Sequence, residues 1–232
     1  VELVRGSLLV ISPHLDDAAL GCGTLLANRP GSVVVSVFAG TGLDPDRQTD
    51  WDRSCGFHCA AEAMATRRDE DDGALSVLGA LPCRLDFADD QYRNADDPVD
   101  VGAIAMALRT VLSRFHPDIV AMPCGLFHRD HMLVHEAALR ICTDQRHRSW
   151  LAYEDANYRR IPGLLQRRLC ALAAVGFAAT PVEAPAVNDS VKEKAIGCYA
   201  SQLRGLLSPG RPGYRDALAP ERYWKLSRAE EN

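Results

Sequence analysis

The sequence predicts an α/β fold in which a mostly parallel sheet carries helices on both faces. Three observations predict it. Strand-like and helix-like segments alternate along the chain, as they do where parallel strands are joined by crossover helices. The strand-like segments are unbroken apolar runs, as expected of strands covered on both sides. The 232 residues suffice for a large core without disulfide staples.

The elements follow in order. Residues 7–12 (SLLVIS) form a short apolar run between Gly6 and Pro13 and read as a buried strand. Residues 18–27 read as a helix, ended by Asn28, Pro30 and Gly31. Residues 33–39 (VVVSVFA) are a second buried strand, and the polar, Gly-containing stretch 40–50 is a loop. Helical sequence runs from 51 to about 66 and again from 70 to 78, where Gly79 stops it. Residues 83–87 are a weaker strand and 88–98 an acidic loop. An amphipathic helix covers 99–115, a strand 118–122 closed by Pro123 and Gly125, a helix 131–142 and a strand 150–153. The last third is richer in Arg, Pro and Ala and less regular, with one helix at 190–203 and a loop at 205–213. The whole reads as a single Rossmann-like domain over residues 1–232.

Composition narrows the functional classes. With 47% hydrophobic, 25% charged and 6% aromatic residues, the chain is neither disordered nor fibrous. Lys+Arg 26 against Asp+Glu 31 leaves a net charge of −5, without the positive field of a nucleic-acid binder. A small-molecule substrate fits better. No apolar run is long enough for a transmembrane helix, and the first residues (VELVRGSLLVIS) do not read as a signal peptide. The eight cysteines include no C-x-x-C pair, so they read as free thiols of a cytoplasmic protein. Nothing in the pattern specifies an oligomeric state.

Two clusters carry chemistry. Pro13-His14-Leu15-Asp16-Asp17 lies where the first strand ends and a helix begins, and ligands of open α/β sheets bind outside the carboxyl ends of strands. An imidazole and carboxylates converging on a tight turn are zinc-ligand types. The competing reading is an Asp pair that caps the helix and complements its dipole. His128-Arg129-Asp130-His131 follows the strand at 118–122 and falls at the same sheet edge. A two-His, one-carboxylate zinc site is one reading; His131 and His135, four apart, are a helical metal pair in another. His135 otherwise reads as a helix-surface residue, and His58, His116 and His147 as structural or exposed.

These segments resemble the PIG-L/LmbE family of zinc-dependent N-acetylglucosaminyl deacetylases. The resemblance rests on SPHLDDAALGCGTLLA, on Thr41-Gly42 after the second strand, on RRDEDDGALSVLGA from Arg67, on LDFADDQYR from Leu85 and on FHRDHMLVH from Phe127. It spans residues 7–140. Leu15 stands where many members have Pro, and Ala18 where many have Glu. The resemblance implies that His14, Asp17 and His131 hold the metal and that Asp16 is the general base. It implies that His128 stabilises the oxyanion or protonates the leaving amine, oriented by Asp130. Arg67 and Asp89 fall in its substrate-side segments. Zinc is the implied metal, though the same donors take Fe²⁺, Co²⁺ or Mn²⁺.

The implied reaction is hydrolysis of an N-acetyl amide on an amino-sugar metabolite or glycoside, with an amidase of thiol-sugar conjugates as the alternative. A nucleotide-binding domain would need G-x-G-x-x-G after the first strand, where this chain has two carboxylates that repel a pyrophosphate. A non-catalytic relative would have lost a ligand or the base, yet every such position is present.

Overall fold

A computed structural model describes residues 6–94, 99–145, 147–184, 189–211 and 213–228. Its sheet has seven strands: β1 (Leu8–Ser12), β2 (Val33–Ser36), β3 (Leu81–Arg84), β4 (Ile119–Pro123), β5 (Ser149–Tyr153), β6 (Phe177–Val182) and β7 (Tyr223–Arg228). Their order is β3-β2-β1-β4-β5-β7-β6. The first five are parallel, with Leu9 opposite Val33 and Leu8 opposite Ile119. β7 runs antiparallel to both β5 and β6. The sheet is therefore mostly parallel, as the apolar runs predict.

Period-two alternation sends successive strand residues to opposite faces. Leu9, Ile11, Val35, Val120 and Met122 pack with α4 (Val101–Phe115) and α5 (Arg129–Asp144). Leu8, Val10, Val34, Ile119 and Ala121 pack with α1 (Asp17–Ala27), α3 (Ala60–Leu78) and α7 (Asp189–Gly197). Helices cover both faces.

The structure corrects several boundaries. The helical stretch expected at 51–66 and 70–78 breaks earlier, into α2 (Asp50–Cys55) and one unbroken α3. A Thr49–Asp52 capping box starts α2, and Gly56, at φ 91°, ends it in the left-handed region that favours glycine. Nothing at 67–69 breaks a helix, because Arg67 and Arg68 are good helix formers. Strand β3 begins at Leu81, and beyond Arg84 only Asp86 and Ala88 form isolated bridges, to Phe38 and Gly40. The 190–203 helix is two helices, α7 and α8 (Ala200–Leu206). The last third is more regular than its composition suggests: α6 (Leu164–Ala174), β6 and β7 were not anticipated. The loops expected at 88–98 and 205–213 extend in part, at 95–98 and 212, outside the described residues. Among the described residues no helix is long and apolar enough to cross a membrane.

Candidate active site

The connections from β1 and β4 leave in opposite directions, β1 to β2 on one side and β4 to β5 on the other. The crevice between them is the switch point where open α/β sheets bind ligands. Both sequence clusters meet there.

After β1 the chain turns at Pro13 and enters α1. The Ser12 hydroxyl fixes this turn, donating to the His14 carbonyl at 2.5 Å and accepting from the Ala18 N–H at 2.9 Å. Asp17 Oδ2 accepts the His14 N–H at 2.9 Å. Asp16 occupies the N-cap of α1, yet its side chain makes no capping hydrogen bond. Its carboxyl lines a cavity instead, against the helix-cap reading. Ala18 is fully buried among apolar side chains.

After β4 the chain passes Gly125, Leu126 and Phe127 to His128, the N-cap of α5. Gly125 sits at φ 73°, and a Cβ there would lie 2.6 Å from His135 Cβ and 3.0 Å from the His131 carbonyl. Only glycine lets this turn lie so close to α5. His128 Nδ1 accepts the Asp130 N–H at 3.2 Å.

The side chains converge on Asp17. Its Oδ2 lies 3.1 Å from His14 Nδ1 and 3.1 Å from His131 Nε2. Ring nitrogens of His14, His128 and His131 lie within 4.8 Å of one another. A tetrahedral site with ligand bonds of about 2.0–2.1 Å has edges of about 3.3 Å, close to the 3.1 Å from Asp17 Oδ2 to His14 Nδ1 and to His131 Nε2.

The outer nitrogens are also held. His14 Nε2 faces Asp130 Oδ2 at 3.1 Å, and Asp130 is anchored by Arg93 Nη2 at 2.5 Å and the Asp90 N–H at 2.9 Å. His131 Nδ1 faces Asp155 Oδ1 at 2.5 Å, while Asp155 Oδ2 accepts the Leu126 N–H at 3.0 Å. An imidazole whose far nitrogen meets a carboxylate presents its near lone pair to a metal.

Charge follows this geometry. Burial opposes protonation of His14 and His131, but the surrounding carboxylates outweigh it. His14 is held well above the ordinary imidazole value, and His131 is raised to about 9 by Asp17 and Asp155. Burial, then the Asp17 charge, push Asp16 up to about 7. Burial also works against ionised Asp17, yet His131 and His14 hold it well below the usual carboxylate range. His128 has no carboxylate contact of this kind: burial and the charges of His14 and His131 lower it to about 4.

The other expected site residues fall as follows. Arg67 lines the cavity but is only 4% exposed, in mid-helix rather than at a solvated helix end. It bonds Asp52 Oδ1 at 2.8 Å and the Tyr92 hydroxyl at 3.2 Å, and that hydroxyl donates to Asp52 at 2.8 Å. Asp89 lines the cavity and accepts from the Gln91 N–H and side-chain amide at 3.1 and 2.9 Å. The Asp130 carboxylate serves His14; only its backbone N–H meets His128, so it does not orient His128 through the side chain.

His135 is buried, not on the surface, because α5 packs that face against the β4 turn. Its Nδ1–H donates to the Pro123 carbonyl at 2.9 Å. Among the described residues the cavity lining includes His128 and His131 but not His135. His58, His116 and His147 are exposed. Asp155 and Arg93 escaped the sequence reading. Asp155 follows β5, so the strand-end rule that marked His14 and His128 marks it too.

Comparisons with known proteins place the chain in a family. Residues 9–142 match the PIG-L family, described as GlcNAc-PI de-N-acetylase. A 2'-N-acetylparomamine deacetylase of Streptomyces fradiae is 32% identical over 172 residues, 68% of this chain; the match spans 59% of that protein's length. A deacetylase of the teicoplanin biosynthetic pathway, solved as a triple mutant, is 26% identical with a TM-score of 0.78, covering 97% of this chain and all of the other. The A40926 pseudoaglycone deacetylase Dbv21 is 25% identical with a TM-score of 0.74, covering 99% of this chain and all of the other. The match to the family extends over more than half of the sequence and takes in both the His14–Asp17 and His128–His131 clusters: the chain belongs to the PIG-L family.

Proposed function

We propose that the protein is a zinc-dependent N-deacetylase that hydrolyses the N-acetyl amide of an amino sugar on a small metabolite or glycoside, releasing acetate and a primary amine. The observation that carries this reading is the convergence of His14, Asp17 and His131 at one point, with the uncapped Asp16 carboxyl beside it. His14, Asp17 and His131 hold the metal. When bound, zinc lowers the pKa of water towards about 7 and polarises a carbonyl.

Asp16 takes the proton of the attacking water. Burial favours the protonated carboxyl, so Asp16 can hold that proton and pass it to the departing amine. His128 spends Nδ1 on the Asp130 N–H, so its neutral ring carries hydrogen on Nε2. Burial, the largest influence on its pKa, favours that neutral form. His128 therefore donates a hydrogen bond to the developing oxyanion rather than serving as a charged acid. Asp130, held by Arg93, positions His14. Asp89 serves the sugar hydroxyls. Arg67 shapes the wall through Asp52 and Tyr92.

The relatives named as a 2'-N-acetylparomamine deacetylase, a deacetylase of the teicoplanin pathway and an A40926 pseudoaglycone deacetylase support an amino-sugar substrate. Eight free cysteines support a reducing, cytoplasmic setting. The test incubates the zinc-loaded protein with N-acetyl sugars, their glycosides and thiol conjugates, and follows new amine by mass spectrometry. Acetate and amine in equal amounts are expected. No amide cleavage in any class, with metal bound, would overturn the reading.

A further inference from the structure

The cavity above the His14–His131 centre measures about 700 Å³. An N-acetylhexosamine has about fifteen heavy atoms; even at the about 30 Å³ that one water occupies in the liquid, these fill only about 450 Å³. The cavity has room for more than the sugar, and part of its lining is apolar.

That part includes Trp51, Phe127, Ile161 and Leu206. Trp51 is held in place: its indole N–H donates to Gln202 Oε1 at 3.3 Å, and the Arg211 guanidinium lies 5.0 Å from its ring centre. A Cβ on Gly205 would come within 2.8 Å of the indole, so α8 packs directly against it.

Phe127 is more unusual. It is 62% exposed, and its backbone stands at φ 60°, where a bulky side chain is a genuine outlier. The His128 N–H bonds the Leu126 carbonyl at 2.7 Å, closing a tight, strained γ-turn with Phe127 at its apex. Core burial does not explain this strain, because the ring is largely outside. The turn stands the ring at the cavity immediately before His128, 5.3 Å from the ring of Tyr158, another lining residue.

We propose that Trp51, Phe127 and Ile161 form a second subsite that binds an apolar, ring-containing aglycone attached to the amino sugar. Rigid aromatic side chains recognise such groups with large contact area. The inference rests on the reading of the inner site as an amino-sugar deacetylase.

The experiment compares N-acetylglucosamine, its disaccharide and its naphthyl β-glycoside as substrates of the zinc-loaded full chain. The naphthyl glycoside should have a kcat/KM at least about tenfold above the monosaccharide, mostly through KM, as a hydrophobic subsite gives. Trp51→Ala and Phe127→Gly should each cut that ratio several-fold. Glycine adopts positive φ freely, so Phe127→Gly removes the ring while preserving the turn, and unchanged or raised thermal stability checks the fold. Binding of naphthyl β-glucoside, which has no amide, gives a readout without turnover. It should bind more tightly than glucose and weaken in both variants. Equal kcat/KM for all substrates, a preference for the disaccharide, or ratios and affinities untouched by both substitutions would overturn the subsite. Preferential naphthyl glucoside binding with no deacetylation of any sugar would sink the hydrolase reading and leave the subsite standing.

Discussion

Replacing Asp155 by Asn tests the support of the metal centre without touching a proposed ligand. Asp155 Oδ1 lies 2.5 Å from His131 Nδ1, and the two side chains are 1% and 3% exposed. Its other oxygen accepts the Leu126 N–H at 3.0 Å. An asparagine can keep only one of these contacts. If its oxygen faces Leu126, its amide NH₂ faces His131 and forces the ring hydrogen onto Nε2, the atom that points at Asp17. If it is flipped, two donors confront each other at Leu126. The first arrangement protonates the nitrogen whose lone pair the metal needs, and the second leaves a buried donor clash that displaces the turn holding His131. Removing such an outer partner typically costs about 10–100-fold in metal affinity, or about 1.4–2.7 kcal/mol. Chelator competition on the purified variant measures it, with circular dichroism confirming the fold. Wild-type affinity in a folded Asp155→Asn protein would refute the claim that Asp155 sets the orientation of His131.

Other substitutions separate roles around the same centre. Asp16→Asn should retain the metal and lose about 10²–10⁴-fold in turnover, as expected for a general base; near-normal rates at full metal content would make Asp16 dispensable. His131→Ala should lose metal affinity, while His128→Ala should keep the metal and lose mainly kcat, and His135→Ala should do neither; metal loss in His135→Ala alone would redraw the site. Proton competition sets the pH dependence of metal uptake. His131, raised to about 9, carries a proton at pH 7 that an entering ion displaces. Affinity should therefore rise by about tenfold per pH unit from 7 towards 9 for each displaced proton, measured by calorimetry in two buffers. A flat profile over that range would contradict this.

The parallel half of the fold was legible because its strands are unbroken apolar runs and its turns contain Gly and Pro. The two clusters of the candidate site were legible for a related reason: each follows such a run, at the strand ends where open α/β sheets bind ligands. The C-terminal half of the sheet was not. In β6 (FAATPV) most residues are exposed or half-exposed and Pro181 has no N–H to donate, while β7 (YWKLSR) mixes apolar and basic residues. The edge strand β6 and its neighbour β7 take their identity from their pairing rather than from their own pattern. Roles that depend on direction were also hidden. Spacing brings Asp130 close to His128 alone, and only the three-dimensional turn shows its carboxylate spent on His14 and Arg93. The Arg67–Asp52–Tyr92 cluster joins residues far apart in sequence, and no local signal marks it.

The central claim is that the β1 and β4 turns together build one metal centre. Anomalous diffraction at the zinc edge from crystals of the zinc-loaded protein tests it most directly. A single strong peak is expected within about 2.0–2.2 Å of His14, Asp17 and His131 donor atoms, with His128 and Asp16 beside it but unbonded. A peak held by His128 or His135 in place of His131, or no peak between the two turns in zinc-loaded crystals, would contradict it.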